Sequence, residues 1–331
     1  MMENVINSRL QSVRFAPVQK FRNISVLPLL APDGAFEYRT LGVALASSDI
    51  AITEVSASGS VPELLVVNRG ATHVLLLDGE ELAGAKQNRV LNTSILLAPK
   101  SETRIPVSCT EQGRWSYASP AFAESGNVMA QKLRALKSRS VSQSLQTSAS
   151  YHSDQGEVWH GIAELQSKAG HHSPTSAMHD VFKSREHDFR QCVESFPCLP
   201  GQVGLFVLID GSPVGLDLVS LGGAYVQLHS KLVRSYALES LLESTNAQPS
   251  VTDPAERASE FLHRIGAVTE QRFPSVGCGL DCRHRGAGLA GSALLHENEV
   301  IHAAWFRLDP PGHAAPDPMA SFLARRRRYT L

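Results

Sequence analysis

Two short polar runs hold most of the side chains able to do chemistry. Lys86-Gln87-Asn88-Arg89 and Glu111-Gln112-Gly113-Arg114-Trp115 flank an apolar, alternating stretch within residues 78–115. Arg89 and Arg114 offer planar, two-pronged hydrogen bonds to a phosphate or carboxylate; alternatively they pair with Glu80, Glu81 or Glu111 and hold loops together. Gln87 and Asn88 suit the edge of a sugar or base, or the capping of a turn. Glu111 is the candidate acid/base, because a carboxylate beside a tryptophan is desolvated. An ion pair with Arg114, three residues on, would instead keep it ionised. Trp115 offers a stacking face, or packs at a rim. Cys109 lies against the same run and reads as a nucleophile beside Arg114 or as a small buried hydrophobe.

Other clusters have weaker grammar. Cys278-x₃-Cys282-x-His284 has metal-binding atoms without a standard ligand spacing, so no metal is expected there. The glycine-rich segment 277–291 lacks the GKS/T of a phosphate loop and the GxGxxG of a dinucleotide fold, so it reads as a closing loop or connector and no cofactor is expected. His171, His172 and His187 read as solvated faces of a helical region. Arg325–Arg328 form the one concentrated basic run, and a place in the last turns of a helix explains them better than nucleic acid does.

The elements that must position the two polar runs are short strands. Apolar runs at 24–30, 41–45, 50–52, 64–67, 74–77, 94–97 and 103–109 are separated by turn clusters, as strands are, although 38–46 also fits a short helix. On 103–109, Ile105, Val107 and Cys109 share one face. Asp78-Gly79 and Asp210-Gly211 both suit tight hairpins, which leaves a duplication and a coincidence equally open. Helices are expected near 127–136, from Asp154 with Glu157 to Gly170, from 173 to 196, at 230–242, and from Asp253-Pro254 to 265. The serine-rich stretch 137–151 is the polar end of a helix or a separate segment. The fold class is α+β: two β-rich parts with a helical layer or insertion at about 120–197, folding as one compact unit. Its limits are an N-terminal arm at 1–20, a single domain at 21–308 (β-rich 21–118, helical 120–197, β/α 201–308), and a Pro-rich and Arg-rich tail at 309–331.

Composition narrows the partners. Lysine plus arginine number 31 against 32 aspartates and glutamates, so no global field favours nucleic acid or an acidic membrane. No apolar run reaches the length of a membrane span, the start lacks the apolar core of a signal peptide, and the five cysteines form an odd, scattered set. A reduced, cytoplasmic chain is expected.

Four blocks together resemble one prokaryotic family of uncharacterised activity. They are DGEELAGAKQNR with VSCTEQGRW, QGEVW with SPTSAMHDVF, GQVGLFVLIDGSPVGLDL with KLVRSYALESL, and GLDCRHRGAG with ALLHENEVIHAAWF. The family is the ARG and rhodanese-phosphatase-superfamily-associated protein domain, first type, and the likeness spans about 21–308. Its name records company with ADP-ribosylglycohydrolases and phosphatase-like rhodanese relatives. The resemblance therefore implies a role near nucleotide or ADP-ribose metabolism, with Gln87, Asn88, Arg89, Glu111, Arg114 and Trp115 at its polar motifs. The expected function is binding, with or without hydrolysis or transfer, of a phosphate-bearing nucleotide-derived small molecule. Arg89 and Arg114 would hold the phosphate, Gln87 and Asn88 the sugar or base, and Glu111 would be the acid/base. The alternative is a non-catalytic scaffold that docks a protein partner through the same loops.

Overall fold

The computed structural model describes residues 5–56, 62–242, 253–286 and 288–308. In chain order, α1 (Val5–Ser12), β1 (Arg14–Phe15), β2 (Gln19–Phe21) and β3 (Ile24–Leu30) lead into β4 (Tyr38–Thr40), α2 (Leu41–Ala46), β5 (Ile50–Glu54) and β6 (Glu63–Asn68). Then follow β7 (His73–Leu76), β8 (Glu80–Gly84), β9 (Arg89–Leu91), β10 (Ile95–Leu97), β11 (Ser101–Cys109) and β12 (Phe122–Val128). Helices α3 (Gln131–Ser148), α4 (Gln155–Ala169), α5 (Met178–Ser184) and α6 (Glu186–Ser195) form a layer. The chain returns through β13 (Gln202–Ile209), β14 (Ser212–Val219), α7 (Gly222–Leu242), α8 (Pro254–Gly266), β15 (Thr269–Pro274), β16 (Leu280–Gly286), β17 (Leu289–His296) and β18 (Glu299–Arg307). No helix among the described residues is long and apolar enough to cross a membrane.

The fold is mixed α+β, built on three sheets. One runs β1-β3-β13-β14-β18-β17-β16-β15 with β2 on β3, a second β12-β8-β9-β11-β6-β5, and a third β10-β7-β4. Strand alternation sorts the large sheet's side chains into two cores. Leu205 and Val207 face the helical layer with Tyr225, Leu232 and Phe182. Phe206 and Leu208 face the opposite way, against Ile6 and Leu10 of α1, Phe261 of α8 and Trp305. A third core, under the six-stranded sheet, holds Leu82, Leu91, Ile105 and Val107.

Several expectations change. The N-terminal arm is no loose segment from residue 5 on, because Ile6 and Leu10 are buried against the large sheet. Residues 38–46 are both things at once, a strand running into a helix. The region 120–197 is not wholly helical: β12 pairs with β8 before the helices begin at Gln131. The serine-rich stretch continues α3 as far as Ser148, and the helix expected across 173–196 is two, α5 and α6. Asp210-Gly211 makes the expected hairpin, with φ of 50° and 71° between paired β13 and β14. Asp78-Gly79 does not, since β7 and β8 belong to different sheets. There Gly79 has φ of 81°, and a Cβ on it would meet the Arg134 side chain at 3.1 Å. The glycine lets the chain cross between sheets over a buried arginine. The segment 277–291 is mostly strand, β16 and the start of β17, not a closing loop. Arg325–Arg328 lie outside the described residues.

A polar network fastens the layers. Arg134 of α3 donates to both oxygens of Asp217 at 2.9 and 2.7 Å, and Tyr236 Oη donates to Asp217 at 2.7 Å. Lys137 pairs with Asp78 and donates to the carbonyls of Leu91 and Asn92 at 2.9 and 3.1 Å. Ser94 Oγ lies 2.8 Å from His302 Nδ1, whose Nε2 lies 3.3 Å from Asp217. That is the residue order of a serine hydrolase relay. Here all three are at most 3% exposed, and Asp217 is already neutralised by Arg134. The relay geometry therefore stitches β14 and β18 to the loop before β10, sealed from any substrate.

Candidate functional site

Antiparallel pairing brings the two polar runs together. Cys109 of β11 stands opposite Arg89 of β9, which stands opposite Leu82 of β8, so these three side chains share the face turned toward the third core. The loop after β11 folds back over that face. Asn88 N–H donates to Glu111 Oε2 at 3.2 Å, Arg114 donates to Asn88 Oδ1 at 3.2 Å, and the Arg89 guanidinium lies 5.7 Å from the Trp115 ring centre. Gln87, Asn88, Arg89, Glu111, Arg114 and Trp115 thus form one cluster. The helical layer braces it: Glu111 bridges to Ala177, Gly113 N–H donates to Thr175 O at 2.8 Å, and Met178 N–H to Thr110 O at 2.8 Å.

The two arginines differ sharply. Arg114 Nε donates to Glu111 Oε1 at 2.9 Å, Nη1 to the carbonyls of Ala85 and Ser116 at 2.7 and 3.0 Å, and Nη2 to Glu111 Oε2 at 2.6 Å and to Asn88. A guanidinium has five N–H bonds, and all of these are engaged inside the protein. Arg89 is fully buried, yet it makes one good hydrogen bond, Nη1 to Gln87 Oε1 at 2.9 Å. Its Nε and Nη2 have no hydrogen-bond partner, and the nearest carboxylate oxygen, Glu54 Oε1, is 4.0 Å from Nη2. Burial lowers the Arg89 pKa, against the pull of Cys109, Glu54 and Glu111.

Glu111 is held ionised. Burial pushes its pKa up, but hydrogen bonds from Arg114, Thr175 and the Asn88 backbone outweigh that and leave it below the ordinary carboxylate value. The ion-pair reading of Glu111 fits this geometry. The Cys109 thiol is pushed up by burial, and Gln155 clamps the peptide groups on either side of it, accepting from Cys109 N–H at 2.8 Å and donating to its carbonyl at 2.9 Å. This is the environment of a packed cysteine. The rim is aromatic: Trp115 and Tyr117 are 47% and 52% exposed, and the Lys86 ammonium lies 5.4 and 5.2 Å from their ring centres.

Two residues beyond the predicted set belong to this neighbourhood. Glu54, at the end of β5, accepts from Lys86 N–H at 3.4 Å through Oε1, while its buried Oε2 is unpartnered. Nothing local in the sequence marks it, because β11 and β6 separate β5 from β9 in the strand order. Glu81, on the opposite face of β8, accepts from Thr110 Oγ1 at 3.0 Å and lies 3.5 Å from His179 Nδ1. The adjacent glutamates of Asp78-Gly79-Glu80-Glu81 could have suggested such a carboxylate, but not its histidine partner.

The His179 pKa is raised chiefly by the Glu81 carboxylate 3.5 Å away, with Asp180 adding to it and burial and Lys183 opposing it. A histidine raised above its ordinary 6.5 contributes stability that is complete below that value and is lost as pH rises through the folded pKa. An NMR titration of His179 should therefore show a midpoint above 6.5, and Glu81→Gln should bring it down. A wild-type midpoint at or below 6.5 would contradict the pairing.

Two surface hollows, of about 350 and 280 Å³, lie elsewhere, one beside Gly170-His171-His172 and one between Lys132 and Arg307. Neither is lined by a residue of the cluster. The Arg89 guanidinium lies beneath the half-exposed Trp115 indole, 5.7 Å from its ring centre. Among the described residues no three metal-ligating side chains are grouped. Cys282 is instead packed in the second core and His284 is paired with Glu270 at 3.2 Å.

No curated protein and no solved structure matches this chain. The family model of the ARG and Rhodanese-Phosphatase-superfamily-associated Protein domain matches residues 12–306. Covering most of the chain, that match shows that the protein belongs to this family, whose name records association with the rhodanese-phosphatase superfamily.

Proposed function

We propose that this chain binds a phosphate-bearing, nucleotide-derived small molecule beneath Trp115, with Arg89 as its anchor. The observation that carries the reading is the pair of unpartnered nitrogens, Nε and Nη2, on a fully buried guanidinium. Leaving such donors unmade costs roughly 1–3 kcal/mol, more for charged groups, and a ligand oxygen removes that penalty. Gln87 orients the guanidinium, Asn88 ties the two loops, and Trp115 with Tyr117 supplies faces for a base or sugar. Arg114 and Glu111 form the brace that holds the loop, and neither is assigned contact with the ligand. The family's rhodanese-phosphatase association is in keeping with a phosphorylated ligand, and hydrolysis or transfer is not needed to explain the geometry.

A thermal-shift panel of ADP-ribose, NAD, mononucleotides and sugar phosphates tests this. Ligand at about 100 times its Kd should add about 2.7 kcal/mol of stability by mass action. Arg89→Met should abolish the shift. If no member of the panel shifts the wild type while a protein partner does, the exposed pair Trp115 and Tyr117 is a docking surface and the scaffold reading replaces this one.

A further inference from the structure

The His179 ring of α5 meets a donor and an acceptor at the same nitrogen. Its Nδ1 lies 3.2 Å from the Asn127 amide nitrogen and 3.5 Å from Glu81 Oε2. Asn127 and Glu81 are both buried, yet Asn127 Oδ1 and Glu81 Oε2 have no hydrogen-bond partner. That arrangement suits a neutral ring, whose Nδ1 lone pair accepts from Asn127 and offers Glu81 nothing. A proton on Nδ1 reverses the needs. The buried carboxylate oxygen gains a charged donor within reach, and the Asn127 amide turns over to present Oδ1.

The segment that carries His179 also holds the loop of the candidate site. Its neighbour Met178 donates N–H to Thr110 O at 2.8 Å, Ala177 bridges to Glu111, and Thr175 O accepts from Gly113 N–H at 2.8 Å. Thr110 Oγ1 donates to the other oxygen of the same Glu81 carboxylate at 3.0 Å. We propose that His179 is a pH-operated clasp: its protonation closes the contact with Glu81 and tightens the grip of residues 175–178 on the loop that carries Glu111, Arg114 and Trp115. Asp180 favours the charged ring and Lys183 opposes it, both from α5 itself, and Glu186 of α6 lies within reach of its charge. The strand β12 contributes the neutral Asn127, and α4 reaches the segment through the neutral Gln166, at Ala177 O. Glu111, held below the ordinary carboxylate value, does not change charge where a histidine titrates. Because the folded His179 pKa is raised, the clasp is closed below the ordinary 6.5 and opens as pH rises through the folded value. Neither step involves a ligand, so the clasp stands or falls apart from the role of Arg89.

Hydrogen exchange at the Met178 and Gly113 amides, read by NMR on the full chain without ligand and corrected for intrinsic exchange rates, tests the clasp. Protection should be about threefold to tenfold higher at about pH 6 than at about pH 8.5, the scale of a part-exposed hydrogen bond to a charged group. The change should follow the titration of the His179 ring. His179→Gln should hold protection flat across this range at the wild-type high-pH level, and Glu81→Gln should do the same. Because Glu81 is buried and its variant can fail to fold, the part-exposed His179 supplies the comparison that survives. Wild-type protection that does not change with pH, or a wild-type pH dependence kept in His179→Gln, overturns the clasp. An equal change at the Val207 amide of the buried β13 would be a global effect of pH and overturns it as well.

Discussion

Asp217→Asn is expected to lower the stability of the folded chain by about 3–5 kcal/mol, the range seen when one partner of a buried ion pair is removed. Asp217 is fully buried and accepts two hydrogen bonds from Arg134 and one from Tyr236, with His302 at 3.3 Å. Burial pushes its pKa up, but Arg134 and His302 overcome this and hold it well below the carboxylate range. Asparagine keeps the shape and removes the charge, leaving the equally buried Arg134 with Asp78 at 3.7 Å as its remaining carboxylate. Because the folded pKa is depressed, this stability is present above the unfolded value of 3.8 and is lost as pH falls through the folded pKa. Urea denaturation at neutral pH measures the loss. A change under about 1 kcal/mol would mean that the interior network is not what ties α3 to the large sheet.

The second large effect separates two arginines that look alike in sequence. Arg114→Met should destabilise by about 2–4 kcal/mol, since it strips several hydrogen bonds and leaves the largely buried Glu111 carboxylate without its cation. Arg89→Met should be neutral or stabilising by about 1 kcal/mol, because it replaces an underpaired buried charge by an apolar chain of similar reach. The same substitution should remove ligand binding. Stability held down by one side chain while function depends on it is the usual sign of a binding site. Chemical denaturation of both variants reads the contrast, and equal losses at the two positions would make Arg89 a structural residue like Arg114.

Much of the site was legible because it is local. The two polar runs lie at the joined ends of neighbouring strands, so their convergence follows from one antiparallel pairing, Cys109 opposite Arg89. The cap of α4 was legible for the same reason: Asp154 accepts from the N–H groups of Gly156 and Glu157 at 2.8 and 3.0 Å. The division of labour between Arg89 and Arg114 was not. It depends on which carbonyls the loop before β9 turns toward Arg114, notably Ala85 O. Glu54 was invisible because three sheet pairings separate it from the site. The glycine-rich strands misled for a different reason. A Cβ on Gly291 would meet Trp305 Cδ1 at 2.3 Å, so that glycine makes room for a buried indole and does not signal a loop.

In the proposed binding mode Arg89 takes a ligand oxygen beneath Trp115. Tryptophan fluorescence tests it most directly, since Trp115 is 47% exposed whereas Trp305 is fully buried and Trp159 of α4 half-buried, and Trp115→Phe identifies the Trp115 signal among the three. Titration with ribose 5-phosphate should change the wild-type emission saturably and leave Arg89→Met silent. A saturable change of the same size and midpoint in Arg89→Met, or no change in wild type at millimolar ligand, would contradict the account.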